Sequence, residues 1–524
     1  MTILLWTVSL LLGAVLLAAL ARRIKVPSPS MFALGGVCIA LLPHAPRISL
    51  EPGLALALFV APVLMDAAFD NSLRDLRQYW IPVVSLVFVA VAVTTAAVAF
   101  VARWLVPAMP WAAAIALGAA VAPPDAAAAT AVLREVRMPR RLVTILEDES
   151  LLNDASALLI YRLAVGAAVA NTGNAITITS TLAFVLIGSV ALGILFAFGF
   201  GAIVRRFSDV PSSIVLQFIG AFGIWIVADQ LGLSGVLTIV TAAVVLSRRS
   251  SNQMPAAVRV PSYAVWTLAV FVLNALAFIL AGLQLGPIMD RLDRAHHVHY
   301  VAFATAILLT VILARAGWLL TYNLSLRLVH RALGSHAQRA PKPPPFKNSI
   351  LVSWCGMRGI VTLAAALALP DGSGSVPAFP YRDLIVLTAF AVVLGTLVVQ
   401  GLTLRGLVMM LGLDDDSPVD NEVRTGRVEI FKAALESMDN GDADEAATTV
   451  RREYTEVLRK IDGSVGRSER EHQAEVALRI AARATMRERL NALRVAGAIG
   501  EAAFQVLEAE LDLLELGGEV RSRW

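Results

Sequence analysis

Ala120-Val121-Ala122-Pro123-Pro124-Asp125-Ala126-Ala127 stands near the middle of an apolar run, residues 111–133. Such a run is long enough to cross a bilayer, which requires about 20 apolar residues in a helix. Two prolines at mid-depth remove two helix N–H donors and displace the preceding turn. Backbone released at that depth is tolerated only where it lines a cavity or is buried in protein. The stretch therefore predicts a broken membrane helix whose free backbone groups face an ion, with Asp125 beside them. A counterpart lies in residues 348–369: Trp354-Cys355-Gly356-Met357-Arg358-Gly359, where two glycines flank an arginine. Pro123, Pro124, Gly356 and Gly359 are the candidate break points.

The composition around these stretches agrees with a membrane protein. The chain has 524 residues, 57% hydrophobic and 16% charged, and its mean hydropathy is +0.71. Soluble globular proteins carry roughly 45–50% apolar and about 25% charged residues, so an ordinary soluble enzyme is excluded. The averages hide a split. Residues 1–411 hold 28 Lys/Arg and 16 Asp/Glu, net +12, whereas residues 412–524 hold 16 Lys/Arg and 24 Asp/Glu, net −8. Two domains follow: a transmembrane body, 1–411, and a water-facing helical tail, 412–524. Because that tail is acidic and the basic excess lies in short loops, nucleic acid is excluded as a partner. Cys38 and Cys355 lie far apart in apolar segments, which indicates no disulfide framework. The apolar stretch Met1 to Leu20 is followed, not preceded, by its arginines, so it reads as a first membrane helix rather than a cleaved signal.

Thirteen candidate spans can be drawn, with twelve as the alternative count: 3–21, 30–43, 53–70, 81–106, 111–133, 142–165, 179–204, 212–230, 233–247, 262–286, 299–326, 348–369 and 381–411. One set of alternate loops, from Arg22 and Arg23 to Lys342 and Lys347, holds 19 Lys/Arg, and the other, from Arg47 to Arg382, holds 6. The positive-inside rule puts the richer set in the cytoplasm. The N-terminus is then outside and the tail inside. The interrupted spans are fifth and twelfth. An odd offset of seven gives them opposite orientation, as in inverted six-helix repeats, and paired interrupted helices point to a transporter binding site. The fold class expected is an all-α polytopic membrane protein of about 13 helices, with two interrupted crossing helices and a helical cytoplasmic C-terminal domain. In that domain Glu469 to Val495 and Glu501 to Leu516 show helical spacing, and the role expected of it is assembly or regulation.

A charge in hydrocarbon is costly, so ionisable residues inside spans are functional candidates. They are Asp66 in span 3, Asp125 in span 5, Glu149 and Asp154 in span 6, Asp229 at the end of span 8, Arg315 in span 11 and Arg358 in span 12. Span 6 reads Glu149-Ser150-Leu151-Leu152-Asn153-Asp154. Helical spacing puts Ser150 and Asp154 on one face and makes Glu149 and Asn153 neighbours. A carboxylate, a hydroxyl and an amide are hard oxygen ligands suited to a small hard cation. A carboxylate that holds either a cation or a proton, but not both, gives exchange by competition. Arg315 and Arg358 stay charged and need partners, for which Glu149 and Asp125 are the candidates.

On these residues the chain resembles the bacterial sodium/proton antiporters of the monovalent cation:proton antiporter family, in the branch with an Asn-Asp pair. The resemblance covers about 1–411. It is carried by Leu133-Arg134-Glu135, Met138-Pro139-Arg140-Arg141-Leu142, Glu147 to Ala155, Ala67-Ala68-Phe69, Leu233 to Leu237, Gly282 to Leu285 and Gly356 to Gly359. It implies a homodimer in a bacterial inner membrane, with a six-helix core that moves like an elevator. It implies exchange of Na⁺, or Li⁺ or K⁺, for H⁺ with no cofactor, electroneutrally. Asp154 matches the ion carboxylate, with Ser150 and Asp66 as further Na⁺ ligands and Asn153 as the paired asparagine. Glu149 matches the acid that pairs with the span-11 arginine, Arg315, and Arg358 matches the arginine of the second crossing helix. The chain departs from the family in having Pro124-Asp125-Ala126 where Thr-Asp-Pro is usual, Asp66 for glutamate, and Ala228-Asp229 for Ala-Glu. These changes bear on cation selectivity.

A cation channel gated by the tail, or an ion-sensing membrane protein, is the alternative class. A pore would use repeated symmetric filter segments, and the spans contain none. An intramembrane hydrolase built on Asp66, Asp125 and Asp154 lacks its flanking motifs. An antiporter, not an enzyme, is therefore the expected function.

Overall fold

A computed structural model describes residues 2–43, 51–69, 80–125, 140–170, 175–207, 209–250, 256–291, 297–333, 344–371, 377–412 and 418–439, with scattered positions beyond 450. The chain divides into two compact units, Met1–Asp415 and Asp416–Trp524. Among the described residues the structure is helical, without strands.

The first unit opens with α1 (Thr2–Ile24) and α2 (Ser28–Ala40). Helix α3 consists of Pro52–Ala55, a π turn at Leu56–Val60, and Ala61–Phe69. Helix α4 consists of Trp80–Val84, a π turn at Ser85–Ala90, and Val91–Leu105. There follow α5 (Trp111–Val121), α6 (Arg140–Ala170), α7 (Ala175–Val204), α8 (Val210–Gln230) and α9 (Gly235–Ser250). After them come α10 (Ala256–Leu283), the short α11 (Leu285–Arg291) and α12 (His297–Leu333). The unit ends with α13 (Phe346–Trp354), α14 (Ile360–Leu367) and α15 (Arg382–Leu411). Eight stretches among the described residues are long and apolar enough to cross a membrane, and α2, α3, α5 and α9 are shorter apolar helices.

Local chemistry explains several of these features. The π turn in α3 precedes Pro62, which has no N–H to give and crowds the carbonyl four residues back, so the ladder widens there. Helix α8 starts where the Asp209 carboxylate accepts from the Ser212 N–H at 2.9 Å, and the bonds from Ser212 hold that exposed carboxyl below its usual pKa. Helices α2 and α10 meet backbone to backbone. A Cβ on Gly36 would strike the Ile279 carbonyl, and one on Gly282 would strike that of Ala33. Small residues permit such close approach between helices that share no hydrophobic drive in lipid. Helix α5 packs on α4 and α6 and is an alanine-rich rod buried along most of its length.

Helices α12 and α13 are fastened near the end of α12. Buried Asn323 donates to Pro344 O and to Ser349 Oγ, both at 2.8 Å, and accepts from Arg327 Nε at 2.6 Å. The Arg327 guanidinium lies 4.2 Å from the Phe346 ring centre. In the second unit, α16 (Pro418–Asp439) brings Phe431 edge-on to Tyr454 at 5.6 Å. Of the helices expected at 469–495 and 501–516 only scattered positions are described, each of them helical, and the segment 126–139 and most of the proline-rich connector lie outside the described residues.

Candidate ion-binding site

The site is built where two unwound segments cross. Helix α5 ends at Val121, and residues 122–125 leave the helix at Pro123 and Pro124. Helix α13 ends at Trp354, and residues 356–359 run without helical structure to the start of α14, with Gly359 extended. The Asp125 N–H donates to Met357 O at 2.7 Å, which pins one segment to the other. Gly359 lies directly under the Asp125 carboxylate, and a Cβ there would overlap Oδ2. That carboxylate thus sits beside the N-terminal end of α14, where free N–H groups favour negative charge.

Arg358 supplies the opposite charge to the opposite kind of end. It is fully buried. Its Nε donates to Val121 O at 3.0 Å and Nη2 to Ala122 O at 3.2 Å, both at the C-terminal end of α5. Nη1 donates to Gly356 O, just past the end of α13. Helix C-termini present unpaired carbonyls and a partial negative charge, so the guanidinium satisfies two broken ends at once. The Arg358 main-chain N–H donates to Thr396 Oγ1 on α15 at 3.0 Å.

Helix α6 brings the remaining groups. Buried Asn153 donates from Nδ2 to Pro124 O at 3.0 Å, which ties α6 to the unwound segment. Its Oδ1 is buried without a hydrogen-bond partner among the described residues. One turn on, Ser156 Oγ donates to Val87 O, in the π turn of α4, at 2.7 Å. Asp154 is buried, and its chain neighbour Asn153 holds the carbonyl of Pro124, the residue before Asp125. Ser150 on α6 and Asp66 on α3 are half-buried. Helix α3 packs against α6 beside Leu151.

Glu149 and Arg315 form a buried two-pronged ion pair, at 2.5 and 2.8 Å. Arg315 Nε and Nη2 also donate to Val352 O on α13, at 3.3 and 3.2 Å. The sequence offered Glu149 and Asp125 as partners for the two arginines. Glu149 goes to Arg315, whereas the fork of Arg358 is taken up by main-chain carbonyls. Asp229, the candidate charge at the end of span 8, is exposed at the end of α8 and pairs with Arg162 at 3.5 Å.

Sequence reasoning missed Thr396, Ser156 and the buried Asp148. A hydroxyl in an apolar helix is silent in sequence because it can always return to its own backbone, as Thr396 does to Val392 O. Asp148 could have been noticed, since it shares the same acidic run as Glu149.

Comparison with known proteins bears on the fold and the family. Residues 8–410 match the family described as sodium/hydrogen exchanger, transmembrane. The Na(+)/H(+) exchanger YjcE of Escherichia coli, described as uncharacterized, is 29% identical over 97% of this chain and 98% of its own. A sodium, potassium, lithium and rubidium/H(+) antiporter of Bacillus pumilus is 28% identical over 83% of this chain and 66% of its own. The structure of the sodium proton antiporter MjNhaP1 from Methanocaldococcus jannaschii matches with a TM-score of 0.57 at 18% identity, over 79% of this chain and 100% of that one. That match carries the fold, and the sequence match carries the family: the chain belongs to the sodium/hydrogen exchangers.

Proposed function

We propose that this chain exchanges a monovalent cation for protons by competition at Asp154, with Na⁺ as the first candidate and K⁺ and Li⁺ as the others. The observation that carries the site is the placement of buried Asp154 next to Asn153, whose amide reaches the unwound segment and whose oxygen has no partner among the described residues. Oxygens of Asn153, Ser150, Asp66 and Asp125 complete the hard-ligand set a small cation requires. Protonation of Asp154 removes the charge that holds the cation, so the two bind in alternation. Exchange is then one ion for one proton, electroneutral, with no cofactor.

The chain works as a homodimer in a bacterial inner membrane. Its N-terminus lies outside, and residues 412–524 form a cytoplasmic domain that regulates or assembles the transporter. The proline in place of threonine before Asp125 removes one hydroxyl from the ligand set, which favours a broader cation range. The test is dequenching of a pH-sensitive dye in proteoliposomes on adding Na⁺, Li⁺, K⁺ or Cs⁺ in turn. At least one cation should evoke a response in the wild type. Asp154→Asn should reduce it to the protein-free baseline while eluting as a folded species on gel filtration. A silent wild type, or a fully active Asp154→Asn, overturns the proposal.

A further inference from the structure

A cavity of about 210 Å³ opens among α3, α6, α7, α8, α9 and α14. Its lining comes from the C-terminal parts of α6, α8 and α14 and from the N-terminal parts of α3, α7 and α9. All six contribute the same end, the one opposite the arginine-rich loops. Ala155, the neighbour of Asp154, is among its lining residues. At 1.5 Å per helical residue, Arg162 stands about 12 Å further along α6 than Asp154. The walls between are largely apolar, including Leu56, Leu158 and Ala365. The charged side chains that line it, among the described residues, are Arg162 and Asp229. Arg162 Nη2 reaches Asp229 Oδ1 at 3.5 Å, and Nη1 donates to Leu233 O at 3.2 Å.

We propose that this cavity is the outer approach to Asp154 and that the Arg162–Asp229 pair sets cation entry at its mouth. The inference rests on the exchange function and orientation proposed above. The two side chains are 48% and 66% exposed, and an ion pair that wet contributes little to stability. Its effect is on the local field. While the pair is intact the mouth is neutral. If one partner is removed, a single charge remains at the rim of an apolar funnel, which concentrates or depletes cations there. At about 12 Å, with screening between that of water and that of a protein surface, the expected change in local cation activity is about two- to tenfold.

The experiment uses the full chain in proteoliposomes, with orientation assigned by accessibility of the C-terminal tail. Half-saturating Na⁺ is measured separately on each face. Asp229→Asn leaves Arg162 alone and should raise the constant about two- to tenfold on the face opposite the tail. Arg162→Gln leaves Asp229 alone and should lower it on that face. Added choline chloride should shrink both shifts, and the swap Arg162→Asp with Asp229→Arg should return close to the wild type. Equal shifts on both faces, shifts of the same sign for the two variants, a shift confined to the tail face, or no shift overturns the inference. Where the wild type still exchanges and Asp154→Asn is silent, that failure leaves the exchange function standing.

Discussion

Arg315 and Arg358 are both buried, carry the same charge and lie within one neighbourhood, yet they are answered differently. Arg315 meets a carboxylate, Glu149, in a two-pronged pair that also grips α13 through Val352 O. Arg358 meets carbonyls at the ends of α5 and α13. The first arrangement is neutral by itself and joins α6, α12 and α13 into one piece. The second sets a guanidinium against the partial negative charge of two helix ends, on a segment whose neighbouring residues Met357 and Gly359 touch Asp125. One arginine therefore fastens α6, α12 and α13, and the other fastens the crossing segments of the proposed ion site.

The largest effect should come from breaking the scaffold pair. Arg315→Leu leaves Glu149 buried and unpaired, a loss of about 3–5 kcal/mol. Thermal unfolding in detergent should show it. The double variant Glu149→Leu with Arg315→Leu should recover much of that loss, because no lone charge remains. A single variant costing under about 1 kcal/mol would show the pair to be dispensable to the scaffold.

The next effect belongs to Arg358→Lys. The ammonium keeps the charge but cannot span carbonyls on two helix ends with a rigid fork. Exchange should fall about tenfold or more, while stability falls by about 1.5–3 kcal/mol, the range for one charge-assisted hydrogen bond. At Arg315 the same substitution keeps an ion pair with Glu149 and should spare more activity. If the two lysine variants exchange equally well, the distinction between the arginines fails. Proteoliposome dequenching with both variants decides it.

The two breaks were legible because proline and glycine state their backbone consequences outright. Pro123 and Pro124 cannot continue α5, and the non-helical run ahead of α14 falls on Gly356 to Gly359. Apolar length outlined the spans for the same reason: burial cost is written in composition. What stayed hidden was partner choice. Residue types show that Arg358 needs acceptors, but not that helix ends would supply them, since carbonyls have no sequence signature. The π turn of α4, which frees Val87 O for Ser156, is equally invisible. Asp229, read at the end of span 8, carries no sign in the sequence of its partner, Arg162 on α6.

The smallest effect tests whether the main chain of the second crossing segment has to be held as firmly as its side chain. Thr396 Oγ1 accepts the Arg358 N–H at 3.0 Å and donates to Val392 O at 2.8 Å. Thr396→Val preserves shape and leaves that buried N–H without its acceptor, a cost of about 1–3 kcal/mol for an unsatisfied donor. The guanidinium keeps its carbonyls, so the charge is unmoved. A stability loss in that range with exchange reduced less than in Arg358→Lys assigns the work of the crossing to the charge. A Thr396→Val that exchanges as poorly as Arg358→Lys instead makes backbone placement the controlling quantity, and the contrast between the two arginines would then reduce to one of geometry.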